Sequence, residues 1–453
     1  GRHREGVNLV PPTIFFGAPN VGQRRQRRFG PRTVAANRSG ASTRTRRPRF
    51  SFLVAVSVVL MFAVCSPIDV VSSGPAPARG LRSRFVPSTH PFESASSSAP
   101  EPYTRAWRFG VAFLTRVDVP ESEKNLKQSI SEYNLSPLKV GWYSDWSHNA
   151  APDMPVDVEP EYVQLIRVRD DKWPPDWGVI ANVANLQRGA LWMIGNEPEC
   201  RNQDAVTPAV YAQRYHEAWE KIKGWDPAAR LANGGLVEWT PLRELWLDRT
   251  LAAYKAAYGQ EMPVDVWNIH VQILAEGSGG NLNAGASYPV FQDDVPEEIR
   301  RRSYSFADNA SVQIFKSMVM GFRDWMRRNN REDKRLIISE MGVLFPSEYL
   351  AETEQTGDVK VEQFMVESFD WMLTATNQQM GCSADGHRLV QRWLWYSVNS
   401  SAFWEGDTYR GFNGSLFDYR TRKLTRFGHR WVAYQNQSQQ TEQVMIPLVL
   451  RPK

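Results

Sequence analysis

Short apolar segments that alternate with helical patterns limit the possible folds of this chain more than any other feature. Between residues 107 and 440, eight runs of five to eight residues have the composition of buried β-strands. The runs are Trp107–Phe113, Leu138–Trp142, Tyr162–Arg167, Ala190–Gly195, Arg230–Gly234, Val264–Val271, Arg335–Ser339 and Val390–Tyr396. Strands separated by helices favour a parallel α/β architecture.

Four helices are predicted between these strands, at Pro208–Lys223, Leu242–Tyr258, Ser311–Arg328 and Val361–Ala375. In the third, apolar residues recur at spacings of three and four, which places them on one helix face. Asp308 lies just before that helix and is a candidate N-cap residue. The long connection 274–310 precedes the same helix, and loops of that length are often cleft walls or lids, although a solvated insertion has the same composition.

Eight strands with intervening helices predict a closed (β/α)₈ TIM barrel over residues 107–440, and a doubly wound open sheet is the alternative. In a TIM barrel the chemistry lies at the C-terminal ends of the strands. Residues at the ends of the predicted strands are therefore the candidate site residues.

Two glutamates occupy such positions. The fourth strand runs into LWMIGNEPEC, so that Glu197 follows the strand directly, and the seventh runs into RLIISEMGV, so that Glu340 is at its end. Hydrolysis of a glycosidic bond needs one carboxylic acid to protonate the leaving oxygen and a second carboxylate to attack the sugar or activate water. The structural alternatives are a capping acid at Glu197 and an ion-paired acid at Glu340.

These two motifs resemble those of the clan A glycoside hydrolases, the retaining TIM-barrel enzymes that include cellulases, β-xylosidases and cell-wall β-glucanases. The resemblance rests on Asn-Glu-Pro at 196–198, after Gly195, and on Ile-Ser-Glu at 338–340. It implies that Glu197 is the general acid/base and Glu340 the nucleophile. It also implies that Asn196 hydrogen-bonds the 2-hydroxyl group of the sugar.

Other residues near strand ends are predicted to contact substrate. His270 in the sixth strand occupies a position where the clan often has a group near the nucleophile, and it could keep Glu340 ionised by hydrogen bonding. Trp393 and Trp395 share one side of the eighth strand, and the resemblance implies that Trp395 forms the floor of the subsite for the reacting sugar. Trp142 and Trp146, at the end of the second strand, are expected to shape subsites. The alternative for each of these residues is a place in the core.

The net positive charge of the chain comes from its N-terminal segment alone. Residues 1–50 carry twelve arginines and one acid, a balance of +11 within a total of +5, which leaves −6 for the remainder. A nucleic-acid-binding domain carries its basic surface on the fold itself, so nucleic acid is not expected as a partner.

Sixteen uncharged residues follow this arm at Ser51–Ser66. A basic segment before an apolar run is typical of a signal peptide or a signal anchor, and the Ser- and Pro-rich residues 67–106 have the composition of a flexible linker. Together these segments predict a protein that is secreted or anchored to the outer side of the cytoplasmic membrane.

No cofactor is expected, because the sequence has no metal-binding spacing, and two cysteines outside the apolar run cannot build a disulfide framework. The predicted function is hydrolysis of β-glycosidic bonds in a polysaccharide or oligosaccharide, with glucan, xylan, mannan and galactan all compatible. The alternatives are a non-catalytic carbohydrate-binding barrel at the cell surface and an adhesion scaffold.

Overall fold

The computed structural model describes residues 103–117, 127–277, 285–287, 289–291, 295–299, 304–400, 402–405 and 408–444. The basic arm 1–50, the apolar run 51–66 and linker residues 67–102 lie outside this described part. The first residues of the described part already make contacts within the domain. Tyr103 stacks on Trp107, and the Arg105 guanidinium donates to the Gln435 amide oxygen.

Nine strands form one sheet. Its members are β1 (Phe109–Ala112), β2 (Trp142–Ser144), β3 (Glu161–Tyr162), β4 (Gln164–Ile166), β5 (Leu191–Asn196), β6 (Arg230–Gly235), β7 (Val266–Val271), β10 (Arg335–Met341) and β11 (Arg392–Trp395). Every pair of neighbours is parallel, in the order β3-β2-β1-β11-β10-β7-β6-β5-β4. Two further pairs lie outside the sheet: β8 (Ala275–Gly277) with β9 (Gly285–Ser287), and β12 (Phe403–Glu405) with β13 (Thr408–Arg410).

The two ends of this sheet belong to one stretch of chain. Only Val163 separates β3 from β4; β3 pairs with β2, whereas β4 pairs with β5. β3 and β4 therefore act as one interrupted strand that completes the ring. With these two counted as one, the sheet is a nearly closed parallel barrel of eight strands with helices around it. This is the architecture of a TIM-type barrel, and the alternative of an open doubly wound sheet is wrong.

The described helices are α1 (Arg105–Arg108), α2 (Trp177–Leu186), α3 (Pro208–Trp225), α4 (Pro241–Tyr258), α5 (Val312–Arg328), α6 (Ser347–Leu350), α7 (Glu354–Thr374) and α8 (Arg426–Val444). Short 3₁₀ turns occur at Ile130–Glu132, Ser136–Leu138, Glu297–Ile299, Phe306–Ala310 and Ser383–Asp385. In the part of the chain that the structure describes, no helix combines the length and the apolar character needed to cross a membrane.

Several local predictions were wrong, among them the start of the fourth predicted helix, which begins at Glu354 rather than at Val361. The first strand begins at Phe109 because the preceding residues form α1. The second begins at Trp142, since the residues before it make a 3₁₀ turn that ends in left-handed backbone at Lys139 (φ 51°). The N-cap of α5 is Ser311, whose hydroxyl accepts from the Ile314 amide, whereas Asp308 closes a capping box with Ser305 one turn earlier.

Side chains alternate between two apolar layers, as the two-residue period of a strand requires. The layer inside the barrel consists mainly of Ala112, Trp142, Val163, Leu165, Leu191, Met193, Ala232, Val266, Ile337 and Leu394. The outer layer packs between strands and helices and includes Trp192, Trp267, Ile338, Trp393 and Trp395. This alternation decides which residues at the strand ends can face the mouth of the barrel.

Candidate active site

The two candidate glutamates meet at the C-terminal mouth of the barrel. Glu197 follows β5 directly and Glu340 lies near the end of β10, with β6 and β7 between these strands. One carboxylate oxygen from each glutamate and one ring nitrogen of His270 all lie within 4.8 Å of one another. All three side chains are buried. Residues far apart in sequence therefore form one compact acidic cluster.

A β-bulge turns Glu340 towards the mouth. Ile337 faces the barrel interior and Ile338 faces the helices, so strict alternation would point Glu340 outward. In the pairing with β7, however, Ile338 stands opposite Ile269 and Glu340 stands opposite His270. Two residues of β10 thus match one step of β7, and the extra residue re-aims the side chain, as bulges near active sites do.

Glu197 has left-handed backbone (φ 43°), an unfavourable conformation for a residue with a side chain. Its amide donates to the Gly235 carbonyl oxygen at 3.0 Å, which ties the turn to the end of β6. Gly235 is itself required there, because a Cβ atom at this position would lie 2.3 Å from Cδ2 of His270. The backbone around Glu197 is therefore shaped by its contacts with β6 and by the histidine ring.

His270 pairs with Glu197 rather than with Glu340. Its Nδ1 atom lies 2.9 Å from Oε1 of Glu197 and 3.7 Å from Oε2 of Glu340. Burial lowers the pKa of the imidazole more than the nearby carboxylates Glu340 and Glu199 raise it, so the ring is held neutral. A neutral Nδ1 atom either donates to an ionised Glu197 or accepts from a protonated one.

Glu340 receives two N–H donors. The Trp146 indole donates to Oε1 at 2.5 Å, and the Gln272 side-chain amide donates to Oε2 at 3.3 Å. Donors of this kind stabilise the charged form of a carboxylate. Trp146 thus lies beside Glu340, as does Gln272, which was not predicted as a site residue.

Burial dominates the electrostatics of both glutamates. It raises the pKa of Glu197 to about 7, against the lowering influence of Arg243 and Arg167. It also raises the pKa of Glu340. The charge that His270 carries when protonated and the Trp146 and Gln272 hydrogen bonds lower that pKa, and the charge of Glu197 raises it further. Two such groups so close together cannot both be ionised at low cost.

An aromatic wall extends from Glu340. Trp146 packs against Tyr396 with ring centroids 5.6 Å apart, and Tyr396 packs edge-on against Phe412 at 5.4 Å. Tyr396 was not predicted as a site residue. The signal that would have found it is parity: it follows Trp395 directly, so it faces the opposite side of the strand.

Two predicted subsite tryptophans are not brought to the cluster. Trp395 lies in the outer layer, where its ring contacts Phe369 and its indole donates to the Gly414 carbonyl oxygen at 2.8 Å. Trp142 points into the barrel at the start of β2, where its indole donates to the Arg108 carbonyl oxygen at 3.4 Å. Both are fully buried core residues, because the strands present these positions away from the mouth.

Asn196 is buried beside Glu197 and is held by the loop that follows. Its amide N–H donates to Oδ2 of Asp204 at 2.9 Å, and its side chain donates to Gln203 at 3.4 Å. Asp204 also accepts from the amide of Val168 and from the Arg167 guanidinium. Asp204 therefore joins the ends of β4 and β5 at the point where Glu197 emerges.

The glutamates and the histidine are also of the types and spacing that could ligate a divalent metal ion. Among the residues that the structure describes, they are the group of acids, histidines and cysteines close enough together to do so. A metal there would occupy the same oxygens that glycosidic chemistry needs. Cys200 and Cys382 are both free and buried, outside this group.

Several solved structures are similar to this chain. A GH128 subgroup II endo-β-1,3-glucanase from Pseudomonas viridiflava is 16% identical, with a TM-score of 0.43 over 72% of this chain and 97% of that one. A GH128 subgroup III curdlan-specific exo-β-1,3-glucanase from Blastomyces gilchristii, in complex with glucose, is 13% identical, with a TM-score of 0.43 over 72% of this chain and 97% of that one. A glucosidase from Croceicoccus marinus is 13% identical, with a TM-score of 0.45 over 74% of this chain and 69% of that one. No protein-family model and no curated protein matches the sequence.

Proposed function

We propose that this protein is a glycoside hydrolase that cleaves β-linked polysaccharides or oligosaccharides by a retaining double displacement. The observation that carries the proposal is the pair of buried carboxylates at the C-terminal mouth, with oxygens within 4.8 Å of each other. Retaining enzymes hold their two carboxyl groups about 5–5.5 Å apart, whereas inverting enzymes separate them by about 6.5–9.5 Å to admit a water molecule. The short distance supports the retaining mechanism.

Glu340 is the nucleophile in this mechanism. Its carboxylate accepts the Trp146 and Gln272 N–H groups, which favour the ionised form needed for attack. Glu340 forms an ester bond to the anomeric carbon as the bond between that carbon and the leaving oxygen breaks. The sugar is thereby transferred to the enzyme.

Glu197 is the acid and then the base. A pKa of about 7 keeps a large fraction of this carboxyl protonated at neutral pH, and the negative charge of Glu340 adds to that tendency. Glu197 gives its proton to the leaving oxygen. It then takes a proton from the water molecule that attacks the anomeric carbon, as the bond from that carbon to the Glu340 oxygen breaks. This second step releases the sugar and restores both carboxyl groups to their starting states.

His270 assists the exchange of roles. Its neutral ring lies 2.9 Å from Glu197 and offers either a donor or an acceptor at Nδ1. Glu197 can therefore be held in place in both protonation states. This role differs from the one expected from the sequence, which was to keep Glu340 ionised.

The aromatic wall of Trp146, Tyr396 and Phe412 supports a carbohydrate substrate, because flat rings pack against the C–H faces of sugars. A non-catalytic sugar-binding barrel would use such a wall but would not need two buried, mutually repelling carboxyl groups. The basic arm and apolar run ahead of residue 67 support export, with the enzyme acting outside the cytoplasm or from a membrane anchor.

The test is product analysis on a panel of β-glucans, xylan, mannan and galactan, with the anomer of the first product followed by NMR. Retention of configuration is expected, and inversion would refute the double displacement. Glu197→Gln and Glu340→Gln are each expected to lower kcat by at least about 1,000-fold.

The matched control is Glu367→Gln, an exposed glutamate on α7. Folded Glu340→Gln protein that hydrolyses its best glycan as fast as the control would overturn the proposal. Azide provides a second check, since it should restore turnover of an activated aryl glycoside to Glu197→Ala by replacing the water that the base activates.

A further inference from the structure

A fully buried arginine contacts the loop that follows β5 and carries Glu197 and Glu199, here called the acid loop. Arg243 is in the first turn of α4, after the N-cap Thr240. A cation at a helix N-terminus faces the positive end of the helix dipole, and burial removes it from water. Both the helix dipole and the loss of hydration therefore disfavour a charged Arg243, and nearby acids must compensate for both effects.

Three acids surround Arg243. Its guanidinium contacts Oε1 of Glu199 at 3.3 Å and Oε2 of Glu276 at 2.8 Å, and Glu238 adds a further favourable charge. Glu276 is fixed in turn by the Thr240 hydroxyl, which donates to its Oε1 at 2.5 Å. Burial lowers the pKa of Arg243, but these carboxylates raise it further, so the guanidinium stays charged.

This arrangement joins three βα loops. Glu199 belongs to the loop that carries Glu197, and its Oε1 also accepts from the Val237 amide in the loop after β6, at 2.8 Å. Glu276 lies in β8, in the long connection after β7, and Val290 of the same connection donates its amide to the Glu199 carbonyl oxygen at 2.9 Å. The 274–310 connection is thus bound to the acid loop through Arg243 and Glu199.

Glu199 has a buried carboxyl oxygen without a hydrogen-bond partner in the described part of the chain, which indicates a role beyond packing. It is two residues from Glu197 and fully buried, and its Oε2 has no hydrogen-bond partner among the described residues. Burial raises the pKa of Glu199 to about 7, Arg243 lowers it, and the charge of Glu197 raises it. A buried carboxyl with a free oxygen beside a catalytic acid is costly for a purely structural residue.

Glu197 faces ionisable groups from every element packed around it. They are His270 from β7, Glu340 from β10, Arg167 from the end of β4, Arg243 from α4, and Glu199, Cys200 and Asp204 from its own loop. Arg243 and Arg167 are the cations of this set. Arg167 is already paired with Asp204 at 2.5 Å, whereas Arg243 is shared between acids of different loops.

We propose that Arg243 and Glu199 are a pair of positioning residues that hold the loop carrying Glu197 against the loops after β6 and β7, so that the Glu197 carboxyl faces His270 and Glu340. The proposal rests on the assigned role of Glu197 as acid/base. Neither residue touches the reacting atoms; both act through Glu197. Because Arg243 and Glu199 have opposite charges, their loss should move the titration of Glu197 in opposite directions.

The experiment compares Arg243→Met, Arg243→Lys and Glu199→Gln by the pH dependence of kcat/KM. The alkaline limb of that profile reports the acid in the free enzyme. Arg243→Met removes a positive charge, so the limb should move to higher pH by at least about 0.5 unit, and kcat should fall about tenfold or more with little change in KM. Glu199→Gln removes a negative charge, so the limb should move to lower pH.

Arg243→Lys separates charge from geometry. It keeps the charge and loses the planar fork that spans two carboxylates, so the limb should stay near that of the parent while kcat falls. Arg243→Lys also replaces Arg243→Met in the experiment if the methionine variant does not fold. The matched control is Arg323→Met, a second fully buried arginine, which instead donates to carbonyl oxygens of Leu389 and Glu332 and to Gln391 in the outer layer. It should lower stability without moving the limb.

Titration of the Glu197 carboxyl carbon by ¹³C NMR, assigned by difference from Glu197→Gln, gives a readout that needs no turnover. Opposite shifts of the Glu197 titration in the folded Arg243→Met and Glu199→Gln proteins support the proposed positioning role, whether or not a glycan is hydrolysed. Absence of hydrolysis would refute only the proposed function of the protein. Unchanged Glu197 titration in both variants would overturn the positioning role, as would an equal shift in the Arg323→Met control.

Discussion

The indole of Trp146 offers the sharpest test of how the site prepares Glu340 for its proposed role as nucleophile. Trp146→Phe keeps an aromatic ring against Tyr396 and removes the N–H group that donates to Oε1 of Glu340 at 2.5 Å. A hydrogen bond to a charged group contributes about 1.5–3 kcal/mol. If that contribution is lost where the carboxylate attacks, kcat/KM should fall about 10- to 150-fold. The Gln272 donor remains on Oε2, so the lower part of this range is expected.

The pH profile gives this prediction a sign. The Trp146 hydrogen bond lowers the pKa of Glu340, so its loss should raise that pKa. Because the proposed attack by Glu340 requires the ionised carboxylate, the acid limb of kcat/KM should move to higher pH while the alkaline limb stays in place.

The assay is hydrolysis of an activated aryl β-glycoside between pH 4 and 9, with unfolding followed by circular dichroism. Trp325→Phe is the matched control, because the Trp325 indole also donates to a carboxylate, Asp248 at 2.8 Å, but in the outer layer. The control should lose stability and keep the parent pH profile. A folded Trp146→Phe enzyme with the parent kcat/KM and acid limb would refute the role given to this donor.

Three further variants test other parts of the site. Gly235→Ala places a Cβ atom 2.3 Å from the His270 ring, so activity should fall at least about tenfold and stability by about 1–3 kcal/mol in urea unfolding; Gly224→Ala, in a helix with open space around it, is the control and should not destabilise. Tyr396→Ala removes a ring of the aromatic wall, so KM should rise about tenfold, equivalent to about 1.4 kcal/mol, and an unchanged KM would exclude a contact between Tyr396 and the substrate. Glu197→Gln should raise the free energy of unfolding at pH 8 by up to about 3 kcal/mol and have little effect at pH 4; equal effects at both pH values would contradict the raised pKa of Glu197.

Strand-end positions could be predicted from the sequence because they depend on where an apolar run stops. LWMIG ends at Gly195 and RLIIS ends at Ser339, and the structure brings Glu197 and Glu340, which follow these runs, to one mouth. The eight strands of the barrel were also predicted, since each needs only a short apolar run. Their exact bounds were less accessible, as the displaced start of β2 at Trp142 illustrates.

The direction of a side chain could not be predicted with the same success. Trp393 and Trp395 do share one side of β11, as their spacing requires, but that side faces the helices. Alternation alone cannot say which parity is inside, because a shift of one residue exchanges the two faces. The β-bulge before Glu340 adds a second reversal, and nothing in RLIISEM announces it. Arg243 was missed for another reason: its partners come from three loops that are distant in sequence.

The raised pKa of Glu197 links the stability of the fold to its chemistry. A carboxyl group whose pKa is higher in the folded state than in the unfolded chain binds its proton more tightly on folding. The ionised group therefore lowers the free energy of unfolding. This destabilisation is absent below pH 4.5, grows as the pH rises to the folded pKa of about 7, and reaches about 3 kcal/mol above that pH. The barrel must supply that energy from packing elsewhere. A solvated glutamate would not destabilise the fold in this way, but at neutral pH it would already have lost the proton that the proposed mechanism transfers to the leaving sugar.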